Sequence, residues 1–238
     1  MIERIEYMKL IGLQKMTVLD FPGRVACIVF TFGCNFRCPF CHNASLVLGD
    51  GESDITEEEF FSYLQKRKGI LDGVCVTGGE PLLQKDIEDF LRKIKNSGYE
   101  IKLDTNGMFP EKLKKIVNAG LVDYVAMDIK NSPEYYAATV GKDELDFDKI
   151  KESIDFLINE ASVDYEFRTT VVAEFHTESA FEEIGKLIKG AKKYYLQGFV
   201  DSGDLIGNNL TALPKNIMEK MAERVKPYVE KVELRGVN

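Results

Sequence analysis

The stretch "TFGCNFRCPFCHN", residues 31–43, places three cysteines together at the end of an apolar run. Cys34, Cys38 and Cys41 follow a C-x₃-C-x₂-C spacing, and the run before them, "VACIVFTF" (25–32), has the length and composition of a buried strand. Thiolates suit zinc and iron–sulfur clusters. A closed zinc site takes four ligands, whereas three thiolates on a four-iron cluster leave one iron open to another ligand. The spacing alone is compatible with either centre.

A fourth ligand is hard to find near this stretch. His42 adjoins Cys41 and cannot easily turn to the same metal, and His176 is distant in the sequence. Cys27 and Cys75 fall inside predicted strands, where a free cysteine commonly behaves as a small core residue. A zinc site completed by a remote Cys or His is therefore the alternative to an open iron–sulfur cluster.

The composition indicates a globular protein of a reducing compartment. The chain has 238 residues, of which 45% are hydrophobic and 29% charged, with a formal net charge of −8. An acidic chain argues against broad surfaces for nucleic acid or anionic membrane. No segment has the length of a transmembrane span, and "MIERIEYMKLIG" lacks a signal-peptide pattern. Five cysteines do not resemble a secreted disulfide framework. We expect a cytoplasmic protein with no nucleic-acid or membrane partner.

Short apolar runs alternate with amphipathic segments along the chain. The predicted strands are 25–32, 73–77, 100–104, 124–129, 165–172, 193–199 and a final 229–234. The predicted helices are 56–68, 86–97, 110–119, 147–160, 178–189 and 215–226. This alternation predicts an α/β fold with a parallel sheet, either an open doubly wound sheet or a full or partial (β/α) barrel.

We expect one domain over residues 1–238, because no long linker, repeat or low-complexity tract interrupts the pattern. Within it, we predict an N-terminal extension (1–24), a core of strands and helices (25–200) and a C-terminal helix and strand (201–238).

Unusual polar residues follow the strands rather than the helices. Ligands bind at the carboxyl ends of parallel strands in both kinds of α/β fold. Arg168 alone would be interpreted as part of a salt bridge at the edge of the core. The polar segments at the ends of the neighbouring strands favour a site that Arg168 shares with them. The segments at successive strand ends are "TGGEP" (77–81), "DTNG" (104–107), "MDIK" (127–130), "FRTT" (167–170) and "LQGF" (196–199).

Each of these segments also has an ordinary interpretation. Gly78 and Gly79 would let backbone approach a ligand closely, and Glu80 would offer a carboxylate to an ammonium group, yet "GGEP" alone is typical of a turn. "DTNG" is likewise rich in turn formers. Asp128 and Lys130 point the same way from a strand, and alone they would be a surface ion pair. Only their coincidence at one sheet edge predicts a site.

The combination resembles the radical S-adenosylmethionine (SAM) superfamily. The shared features are the cysteine spacing, Phe40 just before the last cysteine, and "GGEP". The segment "LQKMTVLDFPGRVACIVFTFGCNFRCPFCHN" (13–43) is similar to the start of anaerobic ribonucleoside-triphosphate reductase activating proteins. "YEFRTTVVAEFHTE" (165–178) and "YYLQGF" (194–199) resemble the same family. The resemblance covers nearly the whole chain. Proteins of this family often begin near a segment like "MKLIG" (8–12), which makes Met8 a candidate for the natural first residue.

The resemblance implies a laterally open, partial (β/α)₆ barrel of the TIM type. It implies a [4Fe–4S] cluster on Cys34, Cys38 and Cys41, with SAM on the open iron. Asp104 and Asp128 would hold a monovalent cation beside the cofactor, and Gln197 would be near enough to reach the adenosine. The residues expected to contact or order SAM are Phe40, His42, Gly78, Gly79, Glu80, Thr105, Asn106, Asp128, Lys130 and Arg168.

The implied activity is that of an activating enzyme. SAM would be cleaved reductively to a 5′-deoxyadenosyl radical, which removes a hydrogen from a glycine of anaerobic ribonucleoside-triphosphate reductase. Flavodoxin or a ferredoxin would supply the electron. Two enzyme alternatives remain: activation of another glycyl-radical enzyme, such as pyruvate formate-lyase, or a small-molecule substrate, as in carboxy-deazaguanine synthases. A zinc or iron–sulfur protein without enzyme activity is the third alternative.

Overall fold

One eight-stranded sheet organises the chain, for which a computed structural model describes residues 8–52 and 54–237. The strand order follows the chain from β1 to β8. β1 runs antiparallel to β2, and every later neighbouring pair is parallel. The strands are β1 (Leu10–Thr17), β2 (Ala26–Thr31), β3 (Gly73–Gly78), β4 (Glu100–Thr105), β5 (Tyr124–Asp128), β6 (Asp164–Val171), β7 (Lys193–Gly198) and β8 (Lys231–Arg235).

The helices occupy the connections between these strands. They are α1 (Ala44–Leu48), α2 (Glu57–Lys66), α3 (Ile87–Asn96), α4 (Pro110–Asn118), α5 (Tyr136–Thr139), α6 (Phe147–Asn159), α7 (Glu178–Leu187) and α8 (Lys215–Val225), with a short 3₁₀ turn at Pro81–Leu83. Thr56 and Glu59 form the capping box that the sequence predicts at the start of α2. Across the described ranges, no helix has the length and apolar character needed to cross a membrane.

The sheet separates an apolar outer face from a polar inner face. In β4, Ile101 and Leu103 are fully buried in the main core, whereas Lys102 and Asp104 point to the opposite side. The outer residues pack with apolar side chains of the helices, including Phe90 of α3. The inner face is thereby left to polar groups, and their side chains face the space that the curved sheet partly encloses.

A small apolar cluster fills the amino-terminal end of the inner face. Phe21, Ile28, Cys75 and Tyr124 belong to it, and the Phe21 and Tyr124 rings lie 6.2 Å apart between their centroids. Gly73 leaves space for this apolar cluster, because a Cβ there would lie 2.8 Å from the Phe21 ring. The opposite, carboxyl end of the inner face remains open to ligands.

The predicted architecture is confirmed: the sheet is open rather than closed, and its central strands alternate with helices. Every predicted helix and strand is present, with ends shifted by at most a few residues. β1 adds a strand to the segment expected only as an extension, and α1 and α5 were not predicted. The choice of Met8 as the start concerns residues 1–7, which lie outside the described residues. A single domain stays a prediction, although all eight strands join one sheet.

Candidate active site

A cavity of about 380 Å³ lies at the carboxyl ends of the parallel strands. Each connection or strand end singled out in the sequence contributes to its wall, as does Gln197 of β7. The predicted site residues that line it are Cys34, Cys38, Phe40, Cys41, His42, Gly78, Gly79, Glu80, Asp104, Thr105, Asn106, Asp128, Lys130 and Arg168. The structure therefore brings together all the residues that the sequence placed in the site.

The cysteine loop follows β2 and supplies three free thiols to this cavity. The Phe36 backbone N–H donates to Cys34 Sγ at 3.4 Å, and the Asn106 side-chain amide does so at 3.8 Å. A turn closes between the other two cysteines, where Cys41 N donates to Cys38 O at 3.0 Å. Burial raises the pKa of Cys34 to about 11 and that of Cys38 to about 12. A metal that binds these sulfurs must therefore displace their protons.

Glu80 joins the ends of β3 and β4. Its side chain is 1% exposed, and three donors point at its carboxylate. Oε1 accepts from Leu82 N at 3.0 Å and Thr105 Oγ1 at 2.8 Å, and Oε2 accepts from Asn106 N at 2.7 Å. Burial nevertheless raises the pKa of Glu80 to about 7. Glu80 is thus a buried acceptor that orders the neighbouring strand end, and its predicted contact with an ammonium group stays a prediction.

The paired glycines serve the protein's own backbone. A Cβ on Gly79 would lie 1.9 Å from the Gly33 carbonyl oxygen, and one on Gly78 would lie 2.2 Å from Thr31 N. Gly78 also has a φ of 127°, a region that side chains disfavour. The structure shows that these glycines are also needed for close contact with Thr31 at the end of β2 and with Gly33 at the start of the cysteine loop. Both glycines line the cavity, so their predicted contact with a ligand stays a prediction.

A ladder of partly buried charged side chains, of which only Lys102 is fully buried, crosses the ends of β4, β5 and β6. Arg168 donates from Nη2 to Asp104 Oδ2 at 3.0 Å and from Nε to Asp128 Oδ1 at 2.6 Å. Lys130 Nζ lies 2.8 Å from Asp128 Oδ2. Lys102 forms an ion pair with the other oxygen of Asp104. Three cations and two carboxylates leave one formal positive charge in this ladder, facing the cavity.

Charge pairing decides the ionisation of the ladder. Burial acts to raise the pKa of Asp104 and Asp128, but the neighbouring cations, Arg168 first among them, outweigh it and lower both pKa values. For Lys130, burial acts to lower the pKa, and Asp128 raises it overall. A monovalent cation between the two aspartates stays a prediction; the Arg168 guanidinium already bridges them.

The aromatic wall of the cavity consists of Phe40 and His42 of the cysteine loop, which pack against rings from the loops that follow β6 and β7. Phe40 is 3% exposed, and its ring lies 5.6 Å from Phe175 and 6.1 Å from His176 between centroids. His42 is half-buried, with its ring 5.5 Å from Phe199, and burial lowers its pKa. Neither His42 nor Phe40 is an isolated surface residue.

Sequence reasoning missed three residues that lie outside the cavity and hold its lining residues in place. Lys102 is 2% exposed, and its only sequence signal is a charge two positions before Asp104 within an apolar strand. The side-chain oxygen of Asn35 accepts a hydrogen bond from the Asn106 side-chain amide at 2.8 Å. His176 is 3% exposed behind the aromatic wall. Asn35 and His176 have no local signal, since their partners are far away in the sequence.

The residues present fit an iron–sulfur cluster and a SAM-sized ligand. In the described ranges, no three His, Cys, Asp or Glu side chains converge on one metal ion. Cysteine thiols are nevertheless the donors that iron–sulfur clusters take, and Cys34, Cys38 and Cys41 share one cavity. Its volume lies within the range of about 300–1,000 Å³ usual for small-molecule sites. The wall offers charges of both signs to an amino acid group.

Comparison with known proteins identifies the class. Residues 28–188 match the model of the Radical SAM superfamily. The "Putative glycyl-radical enzyme activating enzyme MJ1227" of Methanocaldococcus jannaschii is 32% identical over 95% of both chains. The pyruvate formate-lyase-activating enzyme of Clostridium pasteurianum is 31% identical over 60% of this chain and 62% of its own. A radical SAM methyltransferase from Sphaerobacter thermophilus shares the fold, with a TM-score of 0.68 at 12% identity over 91% of this chain and 67% of its own.

The chain belongs to the radical SAM superfamily and is a radical SAM enzyme. Within the superfamily, its homologues include glycyl-radical enzyme activating enzymes. Membership implies a [4Fe–4S] cluster and SAM as cofactors.

Proposed function

We propose that this enzyme installs a glycyl radical on anaerobic ribonucleoside-triphosphate reductase. The observation that carries the proposal is similarity along 95% of the chain to a relative named as a glycyl-radical enzyme activating enzyme. The reductase is favoured because residues 13–43 resemble the start of reductase activating proteins. The three-thiol cavity with charges of both signs supports this function.

Cys34, Cys38 and Cys41 would hold the cluster, and SAM would lie against the remaining wall of the cavity. The SAM contacts would come from the residues listed in the sequence prediction: Phe40, His42, Gly78, Gly79, Glu80, Thr105, Asn106, Asp128, Lys130 and Arg168. When bound, the cluster and SAM supply one-electron chemistry that removes a hydrogen atom from a glycine Cα.

The protein's own part is to order the polar wall of the cavity. Glu80 fixes the turn after β4 through Thr105 and the Asn106 backbone. Arg168 and Lys130 hold their positions through partly buried ion pairs with Asp128, so their charges are available to a carboxylate without rearrangement. A preordered polar wall of this kind orients a bound cofactor at little further cost in entropy.

The remaining partners are part of the proposal. A flavodoxin or ferredoxin would donate the electron, a monovalent cation would lie near Asp104 and Asp128, and the chain would act as one domain. The five free cysteines suit a reducing compartment such as the cytoplasm.

The test begins with anaerobic reconstitution of iron and sulfide. The reduced protein should cleave SAM to 5′-deoxyadenosine and methionine. When it is mixed with the reductase, a glycyl-radical doublet should appear in the EPR spectrum. C38A should lose iron and both signals, whereas C75A, which changes a cysteine of the inner-face apolar cluster, should keep them. Iron-loaded protein that yields no 5′-deoxyadenosine would overturn the proposal.

Pyruvate formate-lyase is the second candidate partner, favoured by similarity to the Clostridium pasteurianum enzyme. The same EPR experiment separates the two candidates when each partner is presented alone and then in competition. A doublet on the lyase and none on the reductase would reassign the partner and leave the chemistry unchanged.

A further inference from the structure

A buried histidine connects the loops that follow β5 and β6. His176 is 3% exposed, and each ring nitrogen meets a backbone group. Val172 N lies 3.1 Å and Val172 O 3.2 Å from Nδ1, and Lys130 O lies 2.8 Å from Nε2. A carbonyl can only accept, so Nε2 carries a proton and donates it to Lys130 O. In the neutral ring, Nδ1 then accepts from Val172 N.

The neutral form suits the surroundings of this ring. Burial lowers the pKa of His176 and outweighs the opposing effects of the contacts with the Lys130 and Val172 backbone; the Lys130 ammonium adds a smaller effect in the same direction as burial. The imidazole therefore serves as a fixed donor and acceptor rather than as a charge.

The same imidazole ring packs against two aromatic rings, Phe40 and Phe181. The Phe40 ring lies 6.1 Å away in an edge-on arrangement, and the Phe181 ring of α7 lies 5.9 Å away. Phe40 stands between Cys38 and Cys41 in the cysteine loop. One side chain thus touches the cysteine loop, the end of β5 and helix α7.

Lys130 is the residue through which this contact reaches the cavity. Its carbonyl is held by His176, while its ammonium pairs with Asp128 at 2.8 Å and lines the cavity. A neighbouring hydrogen bond also connects the loops that follow β5 and β6: the Asn131 side-chain amide donates to Phe175 O at 2.8 Å. The ammonium cannot keep its place if the backbone beneath it moves.

We propose that His176 is a positioning residue for the cofactor cavity. By holding the Lys130 carbonyl and the Phe40 ring, it sets where the Lys130 ammonium and the cysteine loop face the cofactor. This inference rests on the cofactor site of the proposed function, and it adds a residue that touches neither cluster nor SAM.

Two conservative substitutions separate the two ring nitrogens. The amide nitrogen of glutamine in H176Q can take the place of Nε2 and keep the donor to Lys130 O. The shorter asparagine in H176N reaches only the Nδ1 position and leaves that carbonyl without its donor. SAM affinity is measured on reduced protein at matched iron content, from the change in the cluster EPR spectrum. H176N should bind SAM about tenfold more weakly than H176Q, because the Lys130 carbonyl, left without its donor, shifts and takes the Lys130 ammonium with it.

F181L is the matched control, because it removes ring packing from the other side of His176 without touching Lys130. It should lower the melting temperature and leave SAM affinity within about twofold of the wild type. Equal SAM affinity of H176N and H176Q, or an F181L loss as large as that of H176N, would overturn the proposal. If H176N fails to load iron, H176Q decides: affinity within about threefold of the wild type supports the proposal, and a tenfold loss overturns it.

These readouts do not involve a glycyl-radical partner. A failure of the inference therefore leaves the choice of partner untouched. A wild-type protein that loads iron but binds no SAM would instead contradict the proposed function.

Discussion

Glu80 shows how one residue changes meaning when its surroundings are known. In the sequence it belongs to a turn, where a carboxylate is normally exposed. In the structure it accepts three hydrogen bonds and is almost inaccessible to water. Its pKa is raised to about 7 because burial penalises the charged form more than the donors favour it.

The raised pKa of Glu80 predicts a pH dependence of stability. The folded state holds the proton up to about pH 7, whereas the unfolded chain releases it near the ordinary value of 4.5. The stabilising contribution of protonated Glu80 is therefore complete below about pH 4.5 and is lost as the pH rises to about 7. The free energy of unfolding of the cluster-free protein, minus that of E80Q, should fall by about 2–3 kcal/mol over this range.

The E80Q variant is the reference because glutamine does not titrate. Urea unfolding of both proteins at several pH values between 5 and 8 gives the difference directly. A difference that stays constant, or rises with pH, would mean that the three donors keep Glu80 ionised in the folded protein.

At the scale of elements, the contact between β3 and the cysteine loop depends on Gly79. The Gly33 carbonyl lies where the Cβ of any other residue would be, and it accepts the Glu80 backbone N–H at 2.8 Å. G79A should therefore push the cysteine loop away from β3. We expect a loss of about 3 kcal/mol or more in unfolding free energy, as for other severe steric conflicts, with reduced iron retention.

G12A provides the comparison for this substitution. Gly12 lies in β1, and an added Cβ there would make only an ordinary contact of 3.7 Å with Phe30. Its effect on unfolding should stay within about 0.5 kcal/mol. Similar stability and iron content of the two variants would show that the cysteine loop does not need the close approach at Gly79.

Local signals explain which elements were predictable. Helix α2 begins where its capping box places it, and the parallel strands are apolar runs of the expected length. β1 was missed because "LIGLQKMT" has a short apolar start followed by exposed polar residues, and register irregularities interrupt its pairing with β2. Helix α1 is only five residues long and has no side-chain cap.

The site was predictable only as far as its motifs are local. The strand-end motifs were found because parallel strands bring their carboxyl ends together. Lys102 and His176 were not, because a lone charge in a strand and a lone histidine in a loop acquire a role only from distant partners. For the same reason, the sequence could not show that the Gly33 carbonyl lies close to Gly79. It could show only that Gly79 allows some group to approach closely.

At the scale of the whole molecule, an ion pair with a buried carboxylate connects the last strand to the middle of the sheet. Arg235 of β8 donates to both oxygens of Glu166 of β6, at 2.7 and 2.9 Å. Its guanidinium stacks over the Tyr195 ring, 3.2 Å from the centroid, and Tyr124 also donates to Glu166 at 2.9 Å. The Glu166 side chain is 1% exposed, so it depends on these partners.

Substitution of Arg235 should therefore destabilise the molecule far more than its place near the chain end suggests. R235M leaves a buried carboxylate with Tyr124 as its remaining donor among those described here. Since Arg235 itself is partly exposed, we expect a loss of about 2–4 kcal/mol in urea unfolding rather than the full cost of a buried pair. K231M, which breaks the exposed Lys231–Glu233 pair of the same strand, should cost under about 1 kcal/mol. Equal losses in unfolding free energy for R235M and K231M would show that the Arg235–Glu166 pair stabilises the protein no more than the exposed pair does.

The sequential strand order also bears on how the chain assembles. Each strand pairs with its neighbour in sequence, so every pairing closes a loop of limited length, and the entropic cost of closure rises only slowly with loop length. The Glu80 contacts with Gly33, Thr105 and Asn106 need only β2 to β4. The rest of the cysteine loop depends on later segments, since Arg37 N donates to Val140 O and Pro39 O accepts from Gly207 N. Asp104 and Asp128 likewise lack their shared cation until β6 delivers Arg168. The start of the cysteine loop can therefore be fixed early in folding, while the thiols and the charge balance of the cavity are ordered only when the later half of the chain docks.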